Sequence, residues 1–383
     1  MSHSLNNPPA HDEIELSIFG PGRGESVAVH VGLGDWMIVD SCVDQLDSTI
    51  PALEYLRRIG VDLATQVRYV VGTHAHDDHI AGLATVLETC TEATFLCSSA
   101  LTHEEFFALA VVDRKVEALL RRSSYGEYRR ILDIVRSRGL ARPGWRPLRR
   151  ALERLELPLP IPSDGLHRKV LALTPSDEAV TRSLSALAGS VPRPGENVRL
   201  PKADPNELAV ALWIEVGRRA ILLGADLPIG PMGCGWQGVL EWFKPEVSAE
   251  AIKVPHHGAP NAHHEGVWSD LLGAGPVAVL APYRAGRTPR PAPPDRSRIC
   301  GLTPHAYTTA SSDRVPPPRS VRRTAATISQ VARSVREPWG KSGHVRARAN
   351  ANGGTDWTVD YSWPARLLCG PLHRGGEGWK FHD

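Results

Sequence analysis

The chain has 383 residues, of which 42% are hydrophobic, and a formal net charge of +2. That length suits one large α/β domain with insertions or two smaller domains, and the hydrophobic fraction allows a sizeable core. The nearly balanced charge provides no overall field that would favour nucleic acid or membranes, so such a role would have to come from local patches.

The strands predicted first lie at the N-terminal end. Residues 13–20 and 26–32 alternate polar and apolar side chains, which predicts two half-buried strands, and residues 36–42 are rich in β-branched side chains. Between the first two, GPGRGES (20–26) contains three glycines. It lacks the G-K-[ST] ending of a phosphate-binding loop and no helix follows it, so we predict a tight turn near a functional site.

Helical spacing follows at residues 47–59 and again at 78–89, on either side of a short apolar run at 67–74. A run of that kind, ending in polar residues, is typical of a central strand that leads into an active site.

Residues 101–165 differ in composition, because they combine helical spacing with many arginines. We predict a helical, arginine-rich insertion or cap here. Arginines at the density seen in 114–154 could contact the phosphates of a nucleic acid or nucleotide. A solvated helical face explains the same pattern equally well.

Strand signals resume beyond this insertion, at residues 169–175, 208–216, 219–226, 249–257 and 276–283. Prolines and arginines then dominate residues 284–320, which predicts a linker. Residues 321–383 are expected to form a C-terminal extension with a helix and a hairpin that turns at Asn352–Gly354.

Targeting and redox signals are weak. The N-terminal segment has no basic stretch followed by an apolar run, and no stretch approaches the roughly 18 apolar residues of a membrane span. The six cysteines are scattered without a C-x-x-C pair, which is typical of reduced thiols. We therefore expect a cytoplasmic protein without membrane contacts, and the oligomeric state stays open.

The strongest motif is T-H-A-H-D-D-H at residues 73–79. His74 and His76 lie two apart on an extended segment, so both imidazoles can bind one metal ion. Asp78 and His79 follow at the start of a predicted helix, where the helix dipole favours a carboxylate, and they can bind a second ion. A two-metal site positions a hydroxide and stabilises the charge that develops in a displacement reaction.

Two later strand ends supply distant ligands. Asp226 ends the buried run ILLGAD, where an unpaired carboxylate would be costly, and a position between two cations removes that cost. His256 and His257 end KVPHHG, and either can be the ligand, although the glycine that follows favours His257. His263 could donate a proton to a leaving group or simply lie in a solvated loop.

In this order, H-x-H-x-D-H, a strand-terminal Asp and P-H-H-G resemble the metallo-β-lactamase superfamily. FGPGRGESVAVHVGLGDWMIVDSC, ILLGAD and KVPHHG are most similar to the metallo-hydrolase domain of competence-type DNA-uptake channel proteins. The resemblance covers roughly residues 13–98 and 165–283. It implies an α/β fold, a four-layer αββα sandwich over residues 13–283, and places Asp40 beside the metals. Two divalent cations are implied, and His-rich ligation suits zinc, with manganese as the alternative.

The chain departs from the superfamily at one metal ligand. A further histidine usually lies between the first motif and the bridging Asp, but VLALTPSDEAV (170–180) contains none. Members of the competence-type branch also tend to lack it. Ser176, Asp177 or water could take its place, and Asn206 lies where that branch often has an Asn that lines the pocket.

These residues are compatible with three functions. The first is a phosphodiesterase or nuclease, in which a hydroxide between two cations attacks phosphorus and Asp78 and Asp226 are the catalytic carboxylates. The second is a small-molecule ester, lactone or thioester hydrolase with residues 101–157 as its lid. The third is a non-catalytic binding protein of the same fold, against which the retained ligand residues argue.

Overall fold

The architecture is described by a computed structural model covering residues 3–21, 24–99, 124–161, 165–188, 204–284, 288–312 and 341–369. The strands in these residues are β1 Glu13–Gly20, β2 Ser26–Val31, β3 Trp36–Val39, β4 Val67–Gly72, β5 Thr94–Ser98, β6 Leu148–Ala151, β7 Leu155–Glu156, β8 Arg168–Ala172, β9 Leu212–Val216, β10 Arg219–Leu223, β11 Ala249–Lys253, β12 Leu272–Leu280, β13 Ala306–Thr308, β14 Gly343–Asn350, β15 Thr358–Ser362 and β16 Arg366–Leu367.

The α-helices in the same residues are α1 Pro51–Arg58, α2 Asp77–Ile80, α3 Leu83–Thr89, α4 Ser124–Ala141, α5 Asp177–Ala188, α6 Gly235–Trp242 and α7 Pro293–Leu302. Short 3-10 helices lie at His3–Asn6, Pro205–Leu208, Pro255–Gly258 and Pro260–Ala262, and a π-helical turn lies at Val267–Leu271.

The strands form two eight-stranded mixed sheets. The first has the order β15-β14-β1-β2-β3-β4-β5-β6 and the second the order β16-β13-β12-β11-β10-β9-β8-β7. Strands β3 to β6 and strands β10 to β13 pair in parallel, while the other neighbours are antiparallel. The carboxyl ends of parallel strands lie at one edge of a sheet, which is where loops can bring side chains together.

Helices cover the outer face of each sheet. Between the sheets lies a core that includes Leu16 of β1 and Ile214 of β9. A second core joins the first sheet to α1, α3 and α4, and a third joins the second sheet to α6 and α7. The layers are therefore αββα, and the fold class predicted from the sequence is confirmed.

Strand β1 shows why the fold needs the C-terminal strands. Its alternating pattern predicts one solvated face, yet Glu15 on that face is fully buried. The Glu15 carboxylate accepts hydrogen bonds from the Tyr55 hydroxyl at 2.7 Å and from Arg348 of β14 at 2.6 Å. A buried carboxylate needs such partners, and β14 supplies one of them.

The structure places residues after 283 differently from the predicted linker and extension. Strand β13 pairs with β12 in the second sheet, and β14 pairs with β1 in the first, so both sheets continue across the expected boundary. The β14–β15 hairpin predicted at 343–361 is confirmed. The helix predicted at 321–336 lies outside the described residues.

The predicted insertion at 101–165 also contains sheet strands. Residues 101–123 lie outside the described residues, but α4 packs Tyr128 and Ile131 into the core beneath the first sheet. Strands β6 and β7 belong to the first and second sheets. The described part of this segment is therefore built into the layers, because its apolar side chains complete the core that α3 leaves open.

The prediction that all cysteines are reduced is wrong for two of them. Cys300 of α7 and Cys369, which follows β16, form a disulfide, while the other four cysteines are free and buried. The pairing of β13 with β16 brings these distant segments together, and spacing along the chain could not reveal it. Within the described ranges, no helix is both long and apolar enough to cross a membrane.

Candidate metal centre

The loop that follows β4 carries the first group of candidate ligands. His74 is fully buried, with its Nδ1 3.0 Å from the Thr73 hydroxyl and its Nε2 3.1 Å from Nδ1 of His76. His76 is the extended residue before α2, so Asp78 and His79 fall in the first turn of that helix. The local sequence thus places all four predicted ligands within one strand-to-helix connection.

Asp40 fixes the orientation of His79. At the end of β3, its carboxylate accepts hydrogen bonds from the Thr73 amide at 2.8 Å, from the Thr73 hydroxyl at 2.7 Å and from Nδ1 of His79 at 2.7 Å. Because Nδ1 is engaged, Nε2 of His79 points towards the second sheet, 3.3 Å from Oδ2 of Asp226. A carboxylate behind a histidine in this way sets the ring orientation of metal ligands.

The second sheet supplies Asp226 after β10 and the histidine pair after β11. Nδ1 of His257 donates to the carbonyl oxygen of Ala281 at 2.9 Å, which leaves its Nε2 3.3 Å from Asp78 Oδ2 and 3.6 Å from Asp226 Oδ2. His256 is a quarter exposed, and its Nε2 lies 3.8 Å from Asp226. The geometry favours His257 as the ligand and leaves His256 at the rim.

The buried charges in this cluster shift one another's pKa values. Burial lowers the pKa of His79, but the carboxylates of Asp226 and Asp40 outweigh burial and hold it well above the ordinary value. Burial also raises the pKa of Asp226, but His79 and His257 outweigh this and hold it well below the ordinary value. Asp226 is therefore an anion at neutral pH, as a ligand between two cations has to be.

The donor set fits divalent cations. Ligand atoms of His74, His79 and Asp226 all lie within 4.8 Å of one another, and so do those of Asp78, His79 and His257. The Nε2 atoms of His79 and His257 are buried, and among the described residues neither makes a well-formed hydrogen bond, although each lies 3.3 Å from a carboxylate oxygen of Asp226 or Asp78. A buried imidazole nitrogen that faces a carboxylate without a well-formed hydrogen bond is costly unless a cation satisfies both, and nitrogen with carboxylate ligation suits zinc.

A cavity of about 390 Å³ opens above these atoms. It is lined by Ala75, His76, Asp77, Asp78, Asp226, His256, His257 and Tyr283. The Tyr283 ring stacks on His257 with 5.4 Å between ring centroids. Burial, followed by the charge of Asp78, raises the pKa of Tyr283, so its hydroxyl remains a hydrogen-bond donor at neutral pH.

Three residues expected near the metals lie elsewhere. The Ser176 hydroxyl accepts from the Ala179 amide at 3.2 Å at the start of α5, and Asp177 beside it is exposed. His263 packs 6.4 Å from the Trp268 ring, and none of the three lines the cavity. Neither Ser176 nor Asp177 therefore lines the cavity beside the candidate ligands, and the replacement of the absent third histidine stays a prediction.

Asn206 lies in a segment bonded to the ligand loop but does not line the cavity. It is buried, and its side-chain Oδ1 has no hydrogen-bond partner among the described residues. Its segment is tied to the ligand loop, because the Val210 amide donates to the carbonyl oxygen of Thr73 at 3.1 Å. Asn206 does not line the cavity, so its expected role at the pocket stays a prediction.

Two buried charged residues escaped the sequence analysis. Glu25 and Lys253 are each 1% exposed and form an ion pair directly beneath Asp226. A signal existed for Lys253, since a lysine inside a strand with both faces buried requires a partner. Glu25 gave no such signal, because the turn predicted at 20–26 does not indicate which of its side chains is buried.

Gly24 explains the turn before Glu25. Its φ is +113°, and a Cβ atom at this position would lie 1.6 Å from the carbonyl oxygen of Asp78. Only glycine permits that approach, which lets the Glu25 amide donate to Asp78 at 2.9 Å. The predicted tight turn near the site is confirmed at Gly24, while Gly22 lies outside the described residues.

Comparison with known proteins finds one family model and several solved structures. The model of the metallo-β-lactamase superfamily matches residues 20–170. MEM-A1, a subclass B3 metallo-β-lactamase isolated from a soil metagenome library, is 12% identical, with 66% of this chain and 83% of that chain covered and a TM-score of 0.33. YhfI from Bacillus subtilis, a metallo-β-lactamase fold protein, is 12% identical, with 63% and 71% covered and a TM-score of 0.31.

A search of curated proteins found no match. The matched residues include strands β2 to β6 of the first sheet and the ligand loop, whereas β14 and β15 of that sheet lie outside them. The two mixed sheets flanked by helices are therefore consistent with the α/β sandwich fold of the metallo-β-lactamase superfamily.

Proposed function

We propose that this protein is a metal-dependent hydrolase of phosphodiester bonds. The observation that carries the proposal is that the buried Nε2 atoms of His79 and His257 converge on the Asp78 and Asp226 carboxylates without well-formed hydrogen bonds to the described residues. His74 and His76 would hold one divalent cation, Asp78, His79 and His257 a second, and Asp226 would lie between them. Bound cations supply Lewis acidity and lower the pKa of water.

The residues of the chain have separate tasks in this proposal. Asp40 and the carbonyl of Ala281 hold the two imidazoles so that Nε2 faces the centre. Asp226 and Asp78 stay ionised. Tyr283 lines the cavity on the side of His257, where a protonated hydroxyl can donate a hydrogen bond to a substrate oxygen.

The resemblance to the competence-type branch supports a phosphodiester as the substrate, and the size of the cavity favours a nucleotide-sized one. We do not assign substrate binding to the described arginines of α4. Arg138 donates to backbone carbonyls, and Arg130 pairs with Glu88 and Glu127. These contacts tie α4 to its neighbours and give Arg130 and Arg138 a structural role in place of the phosphate-binding role predicted for 114–154.

An ester, lactone or thioester is the second candidate substrate. It is favoured by the lining of the cavity, which contains no arginine or lysine among the described residues. Without a basic side chain in this lining, the negative charge of a phosphodiester would be balanced only by bound cations.

A panel of substrates tests both candidates. The protein loaded with Zn²⁺ or Mn²⁺ is assayed on bis(p-nitrophenyl) phosphate, cyclic nucleotides and short single-stranded DNA, and in parallel on p-nitrophenyl acetate, a lactone and a thioester. We expect turnover of phosphodiesters that is lost in Asp226→Asn and kept in Asp177→Asn, which changes an exposed carboxylate away from the cavity. Turnover of the esters alone would replace the first candidate by the second.

A further inference from the structure

Glu25 and Lys253 link the two halves of the site. Glu25 directly precedes β2 in the first sheet, and Lys253 is the last residue of β11 in the second. His74, His76, Asp78 and His79 come from the first sheet, whereas Asp226 and His257 come from the second. The ion pair is therefore a charged contact between the two elements whose spacing determines whether the ligands meet.

Lys253 holds Asp226 on one side. Its Nζ donates to the carbonyl oxygen of Ala225 at 2.6 Å and lies 3.4 Å from Oδ1 of Asp226. The other oxygen, Oδ2, is the one that faces Nε2 of His79 and His257. Lys253 thus holds Oδ1 of Asp226 and leaves Oδ2 free to bind a cation.

Glu25 contacts Lys253 and one histidine from each sheet. Its Oε1 pairs with Lys253 and lies 3.7 Å from Nδ1 of His79, while its Oε2 lies 3.5 Å from Nδ1 of His257. Its amide donates to Asp78. One buried carboxylate therefore contacts a ligand residue from each sheet as well as the lysine that anchors Asp226.

We propose that Glu25 and Lys253 are positioning residues that set the separation of the two ligand groups and direct Oδ2 of Asp226 towards the cations. This inference rests on the proposed metal-dependent function. Glu25 lies in a third candidate ligand group with Asp40 and His79, but it pairs with Lys253 and the Nδ1 atom of His79 is bound to Asp40, so we do not assign it as a metal ligand. Outer residues that orient metal ligands typically contribute a factor of about 10 to 100 in metal affinity.

The test must separate positioning from folding. Removing one member of a buried ion pair leaves an unpaired charge and destabilises the protein strongly, whereas replacing both by neutral side chains of similar volume is often tolerated. The variant of choice is therefore Glu25→Gln combined with Lys253→Met. Its control is Arg219→Met with Glu250→Gln, an ion pair between the starts of β10 and β11 within the second sheet, away from Asp226.

Metal-free wild type and both double variants are titrated with Co²⁺, and the ligand-field absorption and the stoichiometry are recorded together with the melting temperature. We expect the Glu25/Lys253 variant to remain folded, to bind Co²⁺ about 10 to 100 times more weakly and to show altered absorption bands. We expect the Arg219/Glu250 variant to match wild type in affinity and spectrum. If the double variant does not fold, Glu25→Asp, which shortens the contact by one methylene, is titrated instead.

Wild-type affinity and an unchanged spectrum in the Glu25/Lys253 variant would overturn the inference while leaving the metal site intact. A wild-type protein that binds no Co²⁺ would overturn the proposed function, and the inference with it. The wild-type titration therefore distinguishes the two failures.

Discussion

Nε2 of His79 lies 3.3 Å from Oδ2 of Asp226, and both side chains are buried. His79 belongs to the connection after β4 in the first sheet, and Asp226 follows β10 in the second. The two sheets thus present a hydrogen-bond-oriented imidazole and an ionised carboxylate to the same point. A cation there would satisfy both groups, which is why the site is best understood as a metal centre.

The adjacent histidines 256 and 257 should differ in metal binding. His257→Ala removes a buried Nε2 that faces Asp78 and Asp226, so we expect loss of one metal equivalent or an affinity at least tenfold weaker. His256→Ala changes a partly exposed ring at the cavity rim, and we expect near-normal metal content with a raised KM. Zinc content by mass spectrometry, with steady-state kinetics, checks the pair. The opposite ranking of the two variants would reverse our assignment.

Arg138 should stabilise the fold and should not bind nucleic acid. Its guanidinium donates to the carbonyls of Cys90 and Ala93 and to Leu87, which end α3 and lead into β5. Because Arg138→Met leaves these carbonyls without a charged donor, we expect the free energy of unfolding to fall by about 1–3 kcal/mol. Arg136→Met, at a side chain that is 75% exposed, should change it by less than about 0.5 kcal/mol.

Denaturant unfolding measures both arginine variants, and filter binding with labelled DNA serves as the second readout. Equal stability of the two variants, or weakened DNA binding by Arg138→Met alone, would contradict the structural role.

The Cys300–Cys369 disulfide should stabilise the protein by closing a long loop. The two cysteines are 69 residues apart, and a cross-link of that length contributes about 2–4 kcal/mol, chiefly by restricting the unfolded chain. We expect Cys300→Ser with Cys369→Ser to lower the unfolding free energy by that amount. A thiol count on the unfolded, non-reduced protein should give four free thiols, rising to six after reduction. Six before reduction would show that the disulfide does not form.

His30 should make stability depend on pH below neutrality. Burial lowers its pKa from 6.5 to about 4, although a hydrogen bond to the carbonyl of Glu13 opposes this. The unfolded chain therefore binds a proton between pH 6.5 and 4 that the folded protein excludes. The stability due to neutral His30 is complete above pH 6.5 and is lost as pH falls through this window, by roughly 2–4 kcal/mol in total.

His30→Gln removes this titration, so the difference in unfolding free energy between wild type and variant should shrink from pH 7 to pH 4. Urea unfolding at half-unit pH steps provides the curve. The other buried histidines contribute to both proteins and cancel in the difference. A difference that stays constant across the window would contradict the shifted pKa.

Much of the candidate site could be predicted because its residues follow strands. Asp226 and His257 each end an apolar run, and carboxyl ends of parallel strands share one edge of a sheet. The motif at 73–79 added three histidines and two aspartates, a combination typical of metal binding. The sequence could not reveal that Glu25 meets Lys253, since period and composition describe each strand separately and carry no information about which residues meet across two sheets.

The C-terminal strands were harder to predict from the sequence, for a related reason. Strand β14 has the sequence GHVRARAN, whose arginines resemble a solvated hairpin, yet it pairs with β1 so that Gly343 lies opposite Gly20. Arg348 is drawn into the protein by Glu15, and Arg346 by Asp360. Charged side chains that find partners only after folding give no hydrophobic signal, so the sequence suggested an extension where the structure has sheet.

The most direct test of the metal centre is anomalous scattering at the zinc edge from crystals of the Zn²⁺-loaded protein. We predict two peaks, with Asp226 between them, one within bonding distance of His74 and His76 and the other within bonding distance of Asp78, His79 and His257. Absence of both peaks, or peaks bound by other residues, would contradict the account.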